Sequence, residues 1–249
     1  MRVLTGQTAL EAWEKGQRLD LVGRALALLA AASPEVGPEE LANLSVGQRD
    51  ALLIRLREKT FGNVQKCFVR CVKCGAPLEF GLDLRTLDAD KELQSLKPQT
   101  TWTTVEDYQV CFRLPNSYDL KVVAEYCLDV GSAAQMLLER CVLEVRRGSE
   151  TLRGRDLPPE IVEKVAAQME EVDPLGDIPL AIDCGRCGQH IEVVLDLANM
   201  LWQEVEGAAQ RLLHEVHTLA SAYGWTEDEI LALSASRRRS YITQVKPKK

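Results

Sequence analysis

"CVKCGAPLEFGLDL" at 71–84 and "CGRCGQHIEVVLDL" at 184–197 are the same phrase written twice. Laid over each other without a gap, seven of the fourteen positions are identical: both cysteines, the glycine after them, one glutamate and the closing Leu-Asp-Leu. Lys73 for Arg186, Leu78 for Ile191 and Phe80 for Val193 are conservative exchanges. The intervening residues share nothing with the phrase, so this is one structural device used twice. Around each Cys-x-x-Cys the pattern has period two. Ile178, Leu180 and Ile182 alternate before the second pair, and Ile191, Val193, Leu195 and Leu197 after it. Leu78, Phe80, Leu82 and Leu84 follow the first pair, with Glu79 and Asp83 opposite. Such alternation predicts half-buried strands, so each copy reads as strand, knuckle, strand.

Four cysteines in two closely spaced pairs supply the thiolates of a closed tetrahedral zinc site. Gly75 and Gly188 stand where the knuckle needs a permissive backbone. Cys71, Cys74, Cys184 and Cys187 are therefore the expected ligands of one structural Zn2+, the two copies forming halves of a split zinc ribbon. Lys73, Arg186 and Arg70 would offset the charge of a four-thiolate centre. The competing readings are a redox pair, which wants a single Cys-x-x-Cys at a helix start in a βαβ setting, and separate half-sites or a metal bridging two chains. His190 is a bystander, because its counterpart in the first copy is Pro77. Cys67, Cys111, Cys127 and Cys141 sit singly in apolar stretches and read as small core residues. A four-thiolate metal has no open position, so it would hold the fold and perform no chemistry.

Composition sets the wider limits. The 46% apolar content is that of a globular chain of one or two packed units, and aromatics at 5% leave most of the core to aliphatic helix packing. The net charge of −7 argues against general affinity for nucleic acid or anionic membrane. The run "ALALLAAAS" at 25–33 imitates a signal core, but Glu11, Glu14 and Asp20 precede it where a signal would be basic. No stretch reaches the roughly 18–20 apolar residues that span a bilayer. A reducing cytosol is the expected compartment, where paired cysteines point to metal more than to disulfides.

The fold class expected is α+β: mostly helical, with the small zinc-ribbon-like β unit and a short strand pair in the insertion between the knuckles. Residues 1–62 read as helices, including "LSVGQRDALLIRLREKTFG", with Ser45 and Gln48 as a capping box and Leu52, Leu53 and Leu56 as its core face. The first hairpin occupies 63–87 and an α+β insertion 88–176. There "TTWTTV" pairs with "YQVCFRL" through a turn at Glu106–Asp107. Two helices follow, "NSYDLKVVAEYC" and "SAAQMLLERCVLEVRR", the second capped by Ser132 and Gln135, and then the helix "PPEIVEKVAAQMEEVDP". The second hairpin takes 177–197. Residues 198–249 are C-terminal helices and a basic tail. Positions 201, 205, 208, 212, 216 and 219 share a face of the first, and Thr226 and Glu229 cap the next, with Trp225 and Ile230 as a hydrophobic staple.

Catalytic motifs are missing. "HEVH" at 214–217 spaces its histidines at i and i+3, not the i and i+4 of a zincin helix, and has no third ligand. There is no glycine-rich phosphate loop and no G-x-S-x-G elbow, so neither an enzyme nor a small-molecule substrate is expected. "RRRS" at 237–240 is the one basic cluster, read either as a phosphate contact or as a helix end favoured by the dipole.

Beyond the cysteine phrase, "LSVGQRDALLIRLREKTFG", "FRLPNSYDL", "LLERCV", "DPLGDI" and the block "LWQEVEGAAQRLLHEVHTLASAYGWTEDEILALSASRRRSYI" follow in a characteristic order. Together they resemble a family encoded with phage-tail-like contractile injection systems and described as baseplate proteins, similar to the baseplate and hub-assembly proteins of T-even phages. The resemblance implies a non-enzymatic baseplate component whose partners are other baseplate, hub, spike or tube proteins. It implies residence in the cytoplasm of the producing cell, with incorporation into the particle, and no membrane insertion. The alternatives are an assembly chaperone for hub or spike that is absent from the finished particle, and a zinc-ribbon nucleic-acid-binding protein using Arg237–Arg239. Trp225, Arg237, Arg238, Arg239 and Tyr241 are the expected partner contacts, since aromatics and arginine dominate interfaces.

Overall fold

The computed structural model describes residues 1–93 and 100–245. Lys246, Lys248 and Lys249 of the expected basic tail lie outside the described residues. Along the chain run α1 (Gly6–Gly16), α2 (Leu21–Ala32), α3 (Pro38–Asn43), α4 (Val46–Phe61), β1 (Val64–Arg70), β2 (Pro77–Asp83) and α5 (Ala89–Glu92). The insertion holds β3 (Thr100–Val105), β4 (Tyr108–Arg113), α6 (Ser117–Tyr126), α7 (Val130–Cys141), β5 (Val142–Arg147), β6 (Glu150–Leu152) and α8 (Pro159–Val172). Then come β7 (Pro179–Asp183), β8 (His190–Val194), α9 (Leu197–Tyr223), α10 (Glu227–Leu231) and α11 (Ala235–Ile242). The fold is α+β: helices predominate, and all three sheets among the described residues are antiparallel. The chain divides into two compact units, one of residues 36–197 and one joining 1–35 to 198–249.

In the unit 36–197, α4 begins as its sequence requires. Ser45 Oγ accepts from the Gln48 N–H, and Gln48 Oε1 accepts from the Ser45 N–H, both at 3.1 Å. A second cap comes from far along the chain. Ser45 Oγ donates to Asp173 Oδ1 at 2.8 Å, and the Gly47 N–H donates to Oδ2 at 3.0 Å. Position 47 has to be glycine, because a Cβ there would lie 2.1 Å from Asp173 Oδ1. The Asp173 carboxylate sits at a helix N-terminus, where negative charge is favoured; burial nonetheless pushes its pKa up against the Gly47 and Ser45 hydrogen bonds. The "DPLGDI" stretch is thus the lock on the α4 N-terminus.

The insertion is built on a four-stranded sheet in the order β3-β4-β5-β6. The hairpin of β3 and β4 turns at Glu106–Asp107 as its sequence predicts, with Val105 opposite Tyr108. Val110, Phe112, Val145, Ile161 and Val165 are its buried core, closed on one side by α8. Two expectations fail here. "VLEVRR" is strand β5, not the end of a helix, so the sheet has four strands where two were expected. A register shift between Cys111 and Phe112 places both Val142 and Val145 inward. Their spacing of three imitates a helical period and hides the strand. The N-cap of α7 is Asp129, not Ser132: Asp129 Oδ1 accepts from the Ser132 N–H at 2.9 Å, which places Ser132 inside the first turn.

The other unit is helical. Asp20 caps α2 by accepting from the Gly23 N–H at 2.6 Å. Trp202 of α9 is buried against α1 at Gly16, where an added Cβ would lie 2.3 Å from the indole ring. The Arg24 guanidinium lies 4.8 Å from the indole centroid. Leu10, Ala209 and Leu212 form a second cluster with Trp13 and Leu231. Along α9, Leu201, Val205, Leu212 and Leu219 are buried as the spacing predicts, but Ala209 occupies the core in place of Ala208. Thr226 and Glu229 form the expected capping box of α10.

Candidate metal centre

The two hairpins that frame the cysteines follow one plan. β1 pairs with β2 from Val64 opposite Asp83 to Arg70 opposite Pro77, and β7 with β8 from Pro179 opposite Val194 to Asp183 opposite His190. Each loop closes with the same two backbone bonds. The Gly75 N–H donates to the Cys71 carbonyl at 2.8 Å and the Cys71 N–H to the Ala76 carbonyl at 2.9 Å. In the second copy Gly188 donates to Cys184 at 2.8 Å, and Cys184 to Gln189 at 2.9 Å. Gly75 and Gly188 have φ of +69° and +68°, a left-handed conformation that a side chain would strain. The sequence repeat is therefore a repeat of backbone conformation.

These two knuckles meet. Cys71 Sγ lies 3.6 Å from Cys187 Sγ and Cys74 Sγ 3.7 Å from Cys184 Sγ. All four sulfurs lie within 4.8 Å of one another. Four thiolates around a tetrahedral ion with bonds of about 2.3 Å have edges of about 3.8 Å, so the cross-hairpin distances fit a metal without rearrangement. Among the described residues this is the one group of three or more His, Cys, Asp or Glu side chains gathered closely enough to hold an ion. Cys71 and Cys184 are buried, Cys74 and Cys187 half-buried. Around them Ala76 and Ile191 are buried, and Val69, Leu78 and Val193 pack against them, one small apolar cluster drawn from both hairpins.

The local electrostatics favour the thiolate at two of these cysteines, Cys71 and Cys184, and oppose it at Cys187. The Cys74 backbone N–H, helped by that of Lys73, pulls the Cys71 thiol down to about 6. The backbone N–H groups of Arg186 and Cys187 likewise lower Cys184. At Cys187 the Gln189 N–H favours the thiolate, but desolvation and the neighbouring sulfurs outweigh it and hold the thiol up at about 12. Without a cation, ionisation of some sulfurs opposes that of the others. A bound cation removes the conflict. Lys73 and Arg186 are exposed at the knuckle tips. His190 is exposed and pairs with Asp183 at 2.9 Å, outside the sulfur group. Cys67, Cys111 and Cys141 are buried, and Cys127 is half-buried with its sulfur 3.7 Å from Met136 Sδ.

In the helical unit, the indole of Trp225 stacks on Tyr223 at 4.8 Å between ring centroids and meets Tyr241 edge-on at 5.0 Å. Arg237 and Arg239 are exposed. Arg238 between them is buried: its Nε donates to Glu215 Oε2 at 2.7 Å and its Nη1 to the Leu233 carbonyl at 2.6 Å. His214 and His217 of "HEVH" are exposed, and His214 lines a shallow groove with Arg211, Glu215 and Arg239. Sequence reasoning missed Asp119, a fully buried carboxylate held by Arg113 Nη2 at 2.9 Å and Arg140 Nε at 2.7 Å. Burial opposes its ionisation, but Arg113, the Asn116 N–H and Arg140 outweigh that and keep its pKa low. The Asn116 capping box was the available signal, since Asp119 is its N3 residue.

Comparison with known families gives the setting. The family described as T4 bacteriophage base plate protein matches residues 27–174. The chain belongs to this family. The match contains the first knuckle, the whole four-stranded sheet and the Asp173 cap, and ends before Cys184. No curated protein and no solved structure matches the chain. Among the described residues no helix is long and apolar enough to cross a membrane.

Proposed function

We propose that this base plate family member is a non-enzymatic structural part of a contractile, phage-tail-like injection system, its fold pinned by one Zn2+ on Cys71, Cys74, Cys184 and Cys187. The observation that carries the reading is the meeting of two knuckles, 113 positions apart in sequence (71 and 184), with sulfurs at 3.6 and 3.7 Å. A zinc there closes a loop running through the entire insertion, and such a clip restricts the unfolded chain most when the loop is long. With all four positions taken by thiolate, the ion supplies rigidity and charge balance. A rigid insertion suits a part that transmits load between neighbours in a base plate, and hub, spike and tube proteins are the partners this implies.

The partner surface we assign to the helical unit is the end bearing Trp225, Tyr241, Arg237 and Arg239, with Arg238 supporting it from inside through Glu215. A rigid aromatic group flanked by exposed arginines has the composition of an interface hot spot. The test is to tag the chain in its native cells, sediment the particles and quantify it by mass spectrometry. Fixed stoichiometry in intact particles is the expected result. Recovery only in the soluble fraction with hub or spike proteins would make it an assembly factor. Recovery with nucleic acid alone would overturn the reading.

A further inference from the structure

A sheet edge left open is a binding site for another strand unless something blocks it, and proteins block edges with charge, proline or shortness. The described strands of this chain follow that rule, with one departure. β1 carries Lys66 and Arg70, β2 Pro77 and Asp83, β7 Pro179 and Asp183, and β8 Glu192. The outermost strand at one side of the four-stranded sheet, β6, is three residues long and begins with Glu150. The outermost strand at the other side is β3, "TTWTTV": six residues, no charge, no proline. Its register with β4 runs unbroken from Thr100 opposite Arg113 to Val105 opposite Tyr108. No bulge twists this edge away, and among the described residues no strand pairs with it on its outer side.

The space beside that edge is shaped, and its two walls are tied by a long Thr103 Oγ1 to Gln168 Oε1 hydrogen bond at 3.5 Å and by an exposed Lys164–Glu106 ion pair, contacts that an incoming side chain would displace. A groove of about 430 Å³ runs between Thr103–Glu106 and the flank of α8 at Lys164, Ala167 and Gln168. On the outer layer Trp102 is 49% exposed, its ring held by the Arg146 guanidinium at 4.9 Å. An incoming strand would find hydrogen-bonding groups along the edge, a shallow groove for side chains on one face and an aromatic ring on the other. Those are the components of recognition by strand addition.

We propose that the outer edge of β3 receives an extended segment of a different chain as a fifth strand of this sheet. The partner is a short stretch without charge at its centre, whose alternate side chains enter the groove beside α8. A second copy fits less well: each copy carries a net charge of −7 and would bring its own α8 to the same face. The base plate reading enters only in naming the partner as a neighbouring base plate chain.

The test uses the full chain, alone and in whatever complex it is purified with from native cells, and reads backbone amide exchange across Thr100–Val105. Successive residues of a strand turn their N–H groups to opposite edges, so alternate amides are already protected by β4. The outward set is expected to slow at least about tenfold in the complex. Thr103→Pro and Thr104→Pro provide the control, since one removes a donor to β4, together with the Thr103 side-chain contact to Gln168, and the other an outward donor. The first should lower Tm. The second should keep the wild-type Tm yet lose the complex at least about tenfold more readily. Unchanged exchange of the outward amides in the complex, or recovery of the chain with no partner, overturns the inference. So does protection that grows with concentration in the pure chain, which would make the fifth strand a second copy. A complex that shows the slowing but contains no base plate protein would sustain this inference and refute the base plate reading.

Discussion

Replacing one half-buried thiol, Cys187→Ser, tests the proposed metal with the smaller disturbance of packing. Cys184 is buried among Cys71, Ala76 and Ile191, so its replacement would disturb the apolar cluster as well. Cys187 is half-buried at the margin of that cluster, with its sulfur 3.6 Å from Cys71 Sγ. Structural zinc in small four-ligand sites contributes about 10–16 kcal/mol. Shared evenly over four thiolates, that is about 2.5–4 kcal/mol for one ligand. In a unit of this size each kcal/mol corresponds to about 2–4 °C, so Cys187→Ser should lower the Tm of the unit 36–197 by about 5–15 °C. The assay is differential scanning calorimetry with metal analysis of the same samples. A strong chelator should lower the wild type further, to a metal-free Tm that the stripped variant nearly shares. A Cys187→Ser protein with wild-type Tm, or a wild type that keeps its Tm after complete stripping, would refute the reasoning.

Three further outcomes follow from the geometry. Asp119→Asn removes the buried charge shared by Arg113 and Arg140, and should cost about 3–5 kcal/mol in denaturant melts at neutral pH. Because the folded pKa of Asp119 is depressed, its stabilisation is present above the unfolded value near 3.9 and lost as pH falls through the lower folded one; the variant's stability should therefore be flatter across that acid range. Within the arginine triplet, Arg238→Ala should lower Tm by leaving Glu215 without its buried partner, while Arg237→Ala and Arg239→Ala leave Tm unchanged within about 1–2 °C and weaken incorporation into particles. Gly16→Ala places a Cβ 2.3 Å from the Trp202 ring and should cost about 1–3 kcal/mol by overpacking, measured by chemical denaturation.

Much of this was legible before any coordinates, for reasons that differ from place to place. The knuckles were readable because their chemistry is local: in both copies the Cys-x-x-Cys-Gly phrase carries a left-handed glycine and flanking alternation. That both knuckles point their sulfurs at one another is a tertiary fact, and only the doubled phrase hinted at it. The helices at α4, α8 and α10 announced themselves through caps and prolines, which act within one turn. β5 was hidden because its bulge makes a strand bury residues three apart, and the Gly148 turn that follows was the signal passed over. Asp119 and Asp173 were invisible for another reason. A carboxylate on a helix reads as solvated surface unless its cationic or N–H partners, here from Arg140 and Gly47, can be placed beside it.

The metal itself gives the most direct test of the central claim that two distant hairpins share one zinc. X-ray absorption at the zinc edge, on the monomeric chain purified without added metal, should show four sulfur neighbours at about 2.3 Å with one zinc per chain. A shell mixed with nitrogen or oxygen, one zinc for every two chains, or a folded chain with no zinc would contradict it.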